Sequence, residues 1–148
     1  MGKEIERKFR IKELPANLET YPFHEMEQGY LNTSPVVRVR KEDENYYLTY
    51  KGRGLLEREE YNLPLTEEAY VHLLGKADGK IITKRRYLIP YGDYTIELDL
   101  FKGYCEGLII AEVEFPSVEE ANSFSAPDWF GEDVTGDYHY SNSYLSQN

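Results

Sequence analysis

Glu4, Glu6 and Lys8 alternate along the segment KEIERKF, so an extended chain presents two carboxylates and an ammonium on one side. Taken alone, the triplet also fits a helical i,i+4 pair or a solvated strand face. Later segments repeat the pattern. Arg38 and Arg40 alternate in PVVRVRK, Lys51 closes YYLTYK, Arg58 and Glu60 alternate in REEYNL, and Lys84 and Arg86 alternate in ITKRRYLI. Glu97 and Asp99 alternate in YTIELDLF, and Glu112 and Glu114 in IIAEVEF. Clustered carboxylates suit a hard divalent cation such as Mg²⁺ or Mn²⁺, which takes oxygen ligands. Clustered Arg and Lys suit a polyanion, Arg gripping phosphate oxygens in pairs. A face that carries both kinds of charge, brought together and shielded from water, needs guests that neutralise it. A metal–polyphosphate complex meets that requirement from both sides.

Strands are the elements that would position these groups. In each segment the residues between the charges are mostly apolar, as with Ile5 and Phe9, Val37 and Val39, Ile96 and Leu98, and Ala111 and Val113. This period of two is the signature of a sheet with one buried and one polar face. Arg7, Glu59 and Arg85 break it by placing charge on the apolar side. Three segments read as helices. LTEEAYVHLLGKADG has Thr66 as N-cap and Gly75 and Gly79 near its end; SVEEANSF opens on Ser117 with Glu120 three later, a capping box; a short helix is expected between about Tyr138 and Leu145. GKADGK lacks the spacing of a phosphate-binding loop and reads as the end of a helix and a turn. The expected class is mainly β (α+β), with strands joined by turns such as YKGRG, PYGDY and FKGYCEG. Closing such a sheet removes its edges. With the charged face inward, closure makes a passage lined by opposing charges.

Composition narrows the function. The chain has 148 residues, 41% of them hydrophobic, with 17 basic against 27 acidic side chains and a formal charge of −10. It suits one domain over residues 1–148 with a sizeable core. The acidity argues against general nucleic-acid binding and against docking on anionic lipids. No stretch is apolar enough for a membrane span, nothing at the N-terminus reads as a secretory signal, and Cys105 is alone, so a cytoplasmic location is expected. His24, His72 and His139 lack metal-ligand spacing.

In this order, on alternating strands, the set Glu4/Glu6/Lys8, Arg38/Arg40, Lys51, Lys84/Arg86, Glu97/Asp99 and Glu112/Glu114 resembles the triphosphate tunnel metalloenzymes, the CYTH superfamily. The resemblance runs from residue 3 to about residue 116 and is nearest to the short bacterial inorganic triphosphatases. It implies an eight-stranded antiparallel β-barrel tunnel with a few helices outside. It also implies metal-dependent hydrolysis of a small-molecule triphosphate, most simply inorganic tripolyphosphate to pyrophosphate and phosphate. Glu4, Glu6, Asp99, Glu112 and Glu114 would hold one or two Mg²⁺ or Mn²⁺ ions, and Lys8, Arg38, Arg40, Lys51, Arg58, Lys84 and Arg86 would clamp the substrate. Glu60 and Glu97 would line the tunnel, and Tyr30 in EQGYLN would work with Lys8 as proton acceptor or water positioner. Adenylate cyclase, nucleoside or thiamine triphosphatase, and a polyphosphate- or nucleotide-binding module without turnover are the competing readings.

Overall fold

A computed structural model of the protein describes residues 2–54 and 56–148. The strands are β1 (Gly2–Ile11), β2 (Phe23–Thr33), β3 (Val36–Glu42), β4 (Asn45–Lys51), β5 (Glu57–Pro64), β6 (Asp78–Tyr91), β7 (Tyr94–Lys102), β8 (Ile109–Glu114) and β9 (Phe130–Asp133). The helices are α1 (Glu67–Leu74), α2 (Val118–Ser123) and α3 (Asn142–Gln147). Eight strands, in the order β5-β4-β3-β2-β6-β7-β8-β1, form a ring that is closed because β1 also pairs with β5. Every neighbouring pair is antiparallel, and β9 adds a short extension on the far end of β1. The expected eight-stranded antiparallel barrel is therefore present.

The register fixes which face each residue takes. Glu6 lies opposite Glu114, Lys8 opposite Glu112, Glu97 opposite Glu112, and Arg86 opposite Asp99. Partners across a ladder share a face, so the charged positions of adjacent strands fall together inside the ring. The principal hydrophobic core lies on the other side of the wall. Ile5, Phe9, Tyr87, Ile89, Ile96, Leu98, Ala111, Val113 and Phe115 form it with Ala121 of α2 and Phe130 of β9. Burying each large member stabilises the fold by about 1.5–3 kcal/mol, so the barrel is held largely from outside and its lumen is left free for charge. At one end of the barrel Ile82, Phe101 and Ile110 continue the inward face and pack with Tyr140 and Leu145, so the C-terminal segment closes that end.

The charges that break alternation are accounted for outside the barrel. Arg7 donates to the Ala121 carbonyl at 2.9 Å and to Asp133 at 2.7 Å, and lies 4.9 Å from the Phe9 ring centroid. It staples α2 and β9 to β1. Arg85 pairs with Glu25 and covers the Phe23 ring at 4.2 Å. Glu59 accepts from the Tyr61 hydroxyl. Helices start where their caps predict. Thr66 accepts from the Ala69 amide and Ser117 from the Glu120 amide. The C-terminal segment forms a single 3₁₀ turn, Tyr138–Tyr140, and then α3, capped by Ser141. Outside the barrel, α1 lies so close to β2 that a Cβ on Gly29 would meet the Ala77 Cβ at 2.8 Å and the Leu74 Cδ1 at 2.9 Å.

Candidate active site

The inward faces enclose a cavity of about 300 Å³. Its wall takes Glu4, Glu6 and Lys8 from β1, Tyr30 from β2, Arg38 and Arg40 from β3, Lys51 from β4, Arg58 and Glu60 from β5, Arg86 from β6, Glu97 from β7, and Glu112 and Glu114 from β8. Lys84 and Asp99 share that face but lie below the cavity surface. Neither side chain has exposed surface, and Lys84 Nζ is 2.7 Å from Asp99 Oδ2.

The wall's charges are unevenly paired. Lys51 sits 3.0 Å from Glu4 and 3.4 Å from Glu60, and Arg58 3.4 Å from Glu4. Arg86 bonds Asp99 with both arms of its fork, at 2.7 and 2.8 Å, and reaches Glu112 at 3.1 Å and Glu97 at 3.3 Å. Lys8 donates to the Tyr140 carbonyl at 3.3 Å and lies 3.8 Å from Glu112. Burial works against ionisation of Glu112, but Arg86, Lys8, Lys84 and Lys51 outweigh it and hold its carboxyl well below the ordinary range.

Arg38 and Arg40 differ from these. Arg40 donates through Nε to Gln28 Oε1 at 2.7 Å, an acceptor without charge. Burial, together with the neighbouring cations Arg38 and Arg86, pushes Arg40 down to about 9. Among the described residues, Arg38 Nε is the buried side-chain polar atom without a hydrogen-bond partner. A buried guanidinium nitrogen left without an acceptor costs on the order of 1–3 kcal/mol, and an anion in the cavity would supply that acceptor.

The opposite imbalance lies across the lumen. Carboxylate oxygens of Glu6, Glu97 and Glu112 all fall within 4.8 Å of one another. Burial and the adjacent Glu112 and Glu4 raise the Glu6 carboxyl well above its usual range. Glu114 is exposed on the cavity wall, and partial desolvation with Glu4, Glu60 and Glu97 nearby pushes it up to about 7; burial raises Glu97 despite Arg86. The raised Glu6 and Glu97, crowded against an ionised Glu112, give oxygen donors close enough to fit a hard divalent cation.

Several lining residues escaped the sequence reading. Ser141, Asn142 and Ser143 enter the cavity from the C-terminal segment, where no strand periodicity flags them. Tyr47, Thr49 and Asn62 do follow the period of two, but they are uncharged and gave no chemical signal. Gln28 precedes Tyr30 by two positions, which would have placed both on one face.

The fold is a closed antiparallel barrel whose lumen sets cations without carboxylate partners on one wall and crowded carboxylates on another. This chain belongs to the CYTH family: the CYTH domain model matches residues 2–143. An inorganic triphosphatase from Nitrosomonas europaea is 38% identical over 149 residues, covering 97% of this chain and 96% of that protein. An inorganic triphosphatase from Acetivibrio thermocellus is 38% identical over 154 residues, covering 100% of this chain and 96% of that protein. The crystal structure of the inorganic triphosphatase NE1496 matches with a TM-score of 0.73 at 33% identity, covering 100% of this chain and 97% of that one.

Proposed function

We propose that this protein is a divalent-metal-dependent triphosphatase that hydrolyses inorganic tripolyphosphate to pyrophosphate and phosphate. The observation that carries the reading is the unmet charge of the lumen: a buried Arg38 Nε without an acceptor beside Arg40, facing carboxylates raised above their usual range. A cation alone would leave the arginines unmet, and an anion alone would leave the carboxylates crowded. Near full-length identity of 38% to two inorganic triphosphatases supports the same substrate class.

Glu6, Glu97 and Glu112, with Glu4 and Glu114 beside them, would hold Mg²⁺ or Mn²⁺, which when bound neutralises phosphate charge and makes water a better nucleophile. Arg38 and Arg40 bind phosphate oxygens with guanidinium nitrogens that have no carboxylate partner. Lys8, Lys51, Arg58 and Arg86 are held in place by Glu112, Glu4, Glu60 and Asp99, and stabilise charge spreading onto the oxygens in the transition state. Lys84 and Asp99 serve from below the cavity surface by fixing Arg86 and the C-terminal Asn142. Tyr30 lines the cavity, and its hydroxyl would orient the attacking water. Enclosure of the lumen strengthens each of these interactions by excluding bulk solvent.

The test is orthophosphate release from tripolyphosphate with Mg²⁺ or Mn²⁺, for the wild type and for Glu4→Ala, Glu6→Ala and Lys8→Ala. Each substitution is expected to lower kcat/KM by about 10²-fold or more. Activity surviving all three, or faster turnover of ATP, GTP or thiamine triphosphate than of tripolyphosphate, would overturn the proposal.

A further inference from the structure

Gln28 has no exposed surface, yet its side-chain amide touches three groups. Its Oε1 accepts from Arg40 Nε at 2.7 Å. Its Nε2 donates to the Tyr30 hydroxyl at 3.3 Å and to Asn142 Oδ1 at 3.2 Å. Asn142 Oδ1 also accepts from Lys84 Nζ at 3.0 Å. A guanidinium can only donate, so the oxygen of the Gln28 amide must face Arg40 and its nitrogen must face Tyr30. The consequence reaches the cavity. Tyr30 receives a hydrogen on its phenolic oxygen from Gln28, so its own O–H is free to turn toward the lumen. Among the described residues Arg40 is held through Nε, which leaves its two terminal nitrogens for the guest.

We propose that Gln28 is a positioning residue of the triphosphatase reaction: one amide fixes the Arg40 guanidinium in the anion clamp and sets the direction of the Tyr30 hydroxyl. It contacts neither substrate nor metal and acts through these two neighbours. The proposal rests on the reading of the lumen as a tripolyphosphate site. A buried amide of purely structural value would lower stability when replaced and leave the two kinetic constants without a pattern. The positioning role requires one, because Tyr30 acts on turnover and Arg40 on substrate affinity.

Gln28→Met keeps the volume and removes both donor and acceptor. Gln28→Glu keeps an acceptor for Arg40 and offers Tyr30 no proton. Steady-state hydrolysis of tripolyphosphate is measured for each, alone and combined with Tyr30→Phe, and for Gln28→Met combined with Arg40→Met, with thermal unfolding confirming that each variant folds. Both Gln28 variants are expected to lower kcat about tenfold, and Gln28→Met to raise KM about tenfold. In the Tyr30→Phe background the further loss of kcat shrinks to less than about twofold, and in the Arg40→Met background the rise in KM disappears. Wild-type kcat in Gln28→Glu, or the same tenfold losses in every background, overturns the role of Gln28. Failure of the wild type to release phosphate, or wild-type turnover by Tyr30→Phe, instead overturns the reading of the cavity, and the role of Gln28 falls with it.

Discussion

Arg38 and Asp99 show how two buried charged residues on the same inward face do different work. Burial and the cations Arg38 and Arg86 depress Arg40, while Arg38 is 6% exposed and its Nε has no partner among the described residues. Its charge is a cost to the empty fold and a benefit to the complex. Arg38→Ala is therefore expected to reduce kcat/KM for tripolyphosphate about 10- to 100-fold, as loss of a charged hydrogen bond implies, while leaving Tm unchanged or slightly raised. Kinetics and thermal unfolding of the one variant check both halves. Asp99 is the converse. Its carboxylate is wholly buried and satisfied by Arg86 and Lys84, which hold it ionised against burial. Asp99→Asn leaves two buried cations short of a counter-charge and is expected to destabilise the fold by about 3–5 kcal/mol, read by denaturant unfolding. A loss of activity at unchanged stability would instead place Asp99 at the guest.

At the scale of elements, period-two patterning carried most of the information. It placed the inward charges of β1 and β3–β8 on one side but left open whether the sheet closes; the eight-stranded barrel was what the family resemblance implied. β2 did not show itself that way. Its inward residues are Met26, Gln28 and Tyr30 and its outward ones include Phe23, Glu25 and Glu27, so polarity does not separate the faces. Depth was also hidden: alternation tells which face Lys84 and Asp99 take, not that they sit below the cavity surface. The contribution of Ser141–Ser143 depends on how the tail folds back, which local sequence does not encode. β2 is held between the ladders of β3 and β6, and on its outer side Leu74 of α1 and the following Ala77 press on Gly29. Gly29→Ala forces those contacts apart and is expected to cost about 1–3 kcal/mol. For a chain of this length that is a fall in Tm of about 2–4 °C per kcal/mol. An unchanged Tm would mean that α1 can move away freely.

For the whole molecule, the reversal of the usual arrangement, with charge in the lumen and the main core outside it, ties stability to pH and to cations. Two sets of carboxyls act in separate windows. Glu4, Asp99 and Glu112 are lowered in the fold, and the stability they contribute is present above the unfolded range and lost as pH falls. Glu6, Glu97 and Glu114 are raised, Glu114 from 4.5 to about 7. Between those values the folded chain binds more protons than the unfolded one, so stability is fully present below about 4.5 and declines as pH rises toward 7. The Tm of the metal-free protein should therefore fall between about pH 5 and 7.5. Mg²⁺ or Mn²⁺ replaces the lost protons as counter-charge and stabilises by binding the native state alone, so saturating metal should flatten the decline. The triple variant Glu6→Gln, Glu97→Gln, Glu114→Gln isolates the cause from the three histidines and the surface. It should show the flattened profile without metal and gain little Tm on adding it. A metal-free wild-type Tm that stays level across this window would mean that the lumen's carboxylates are already neutralised by the chain's own cations, and with that the need for a metal guest would be gone.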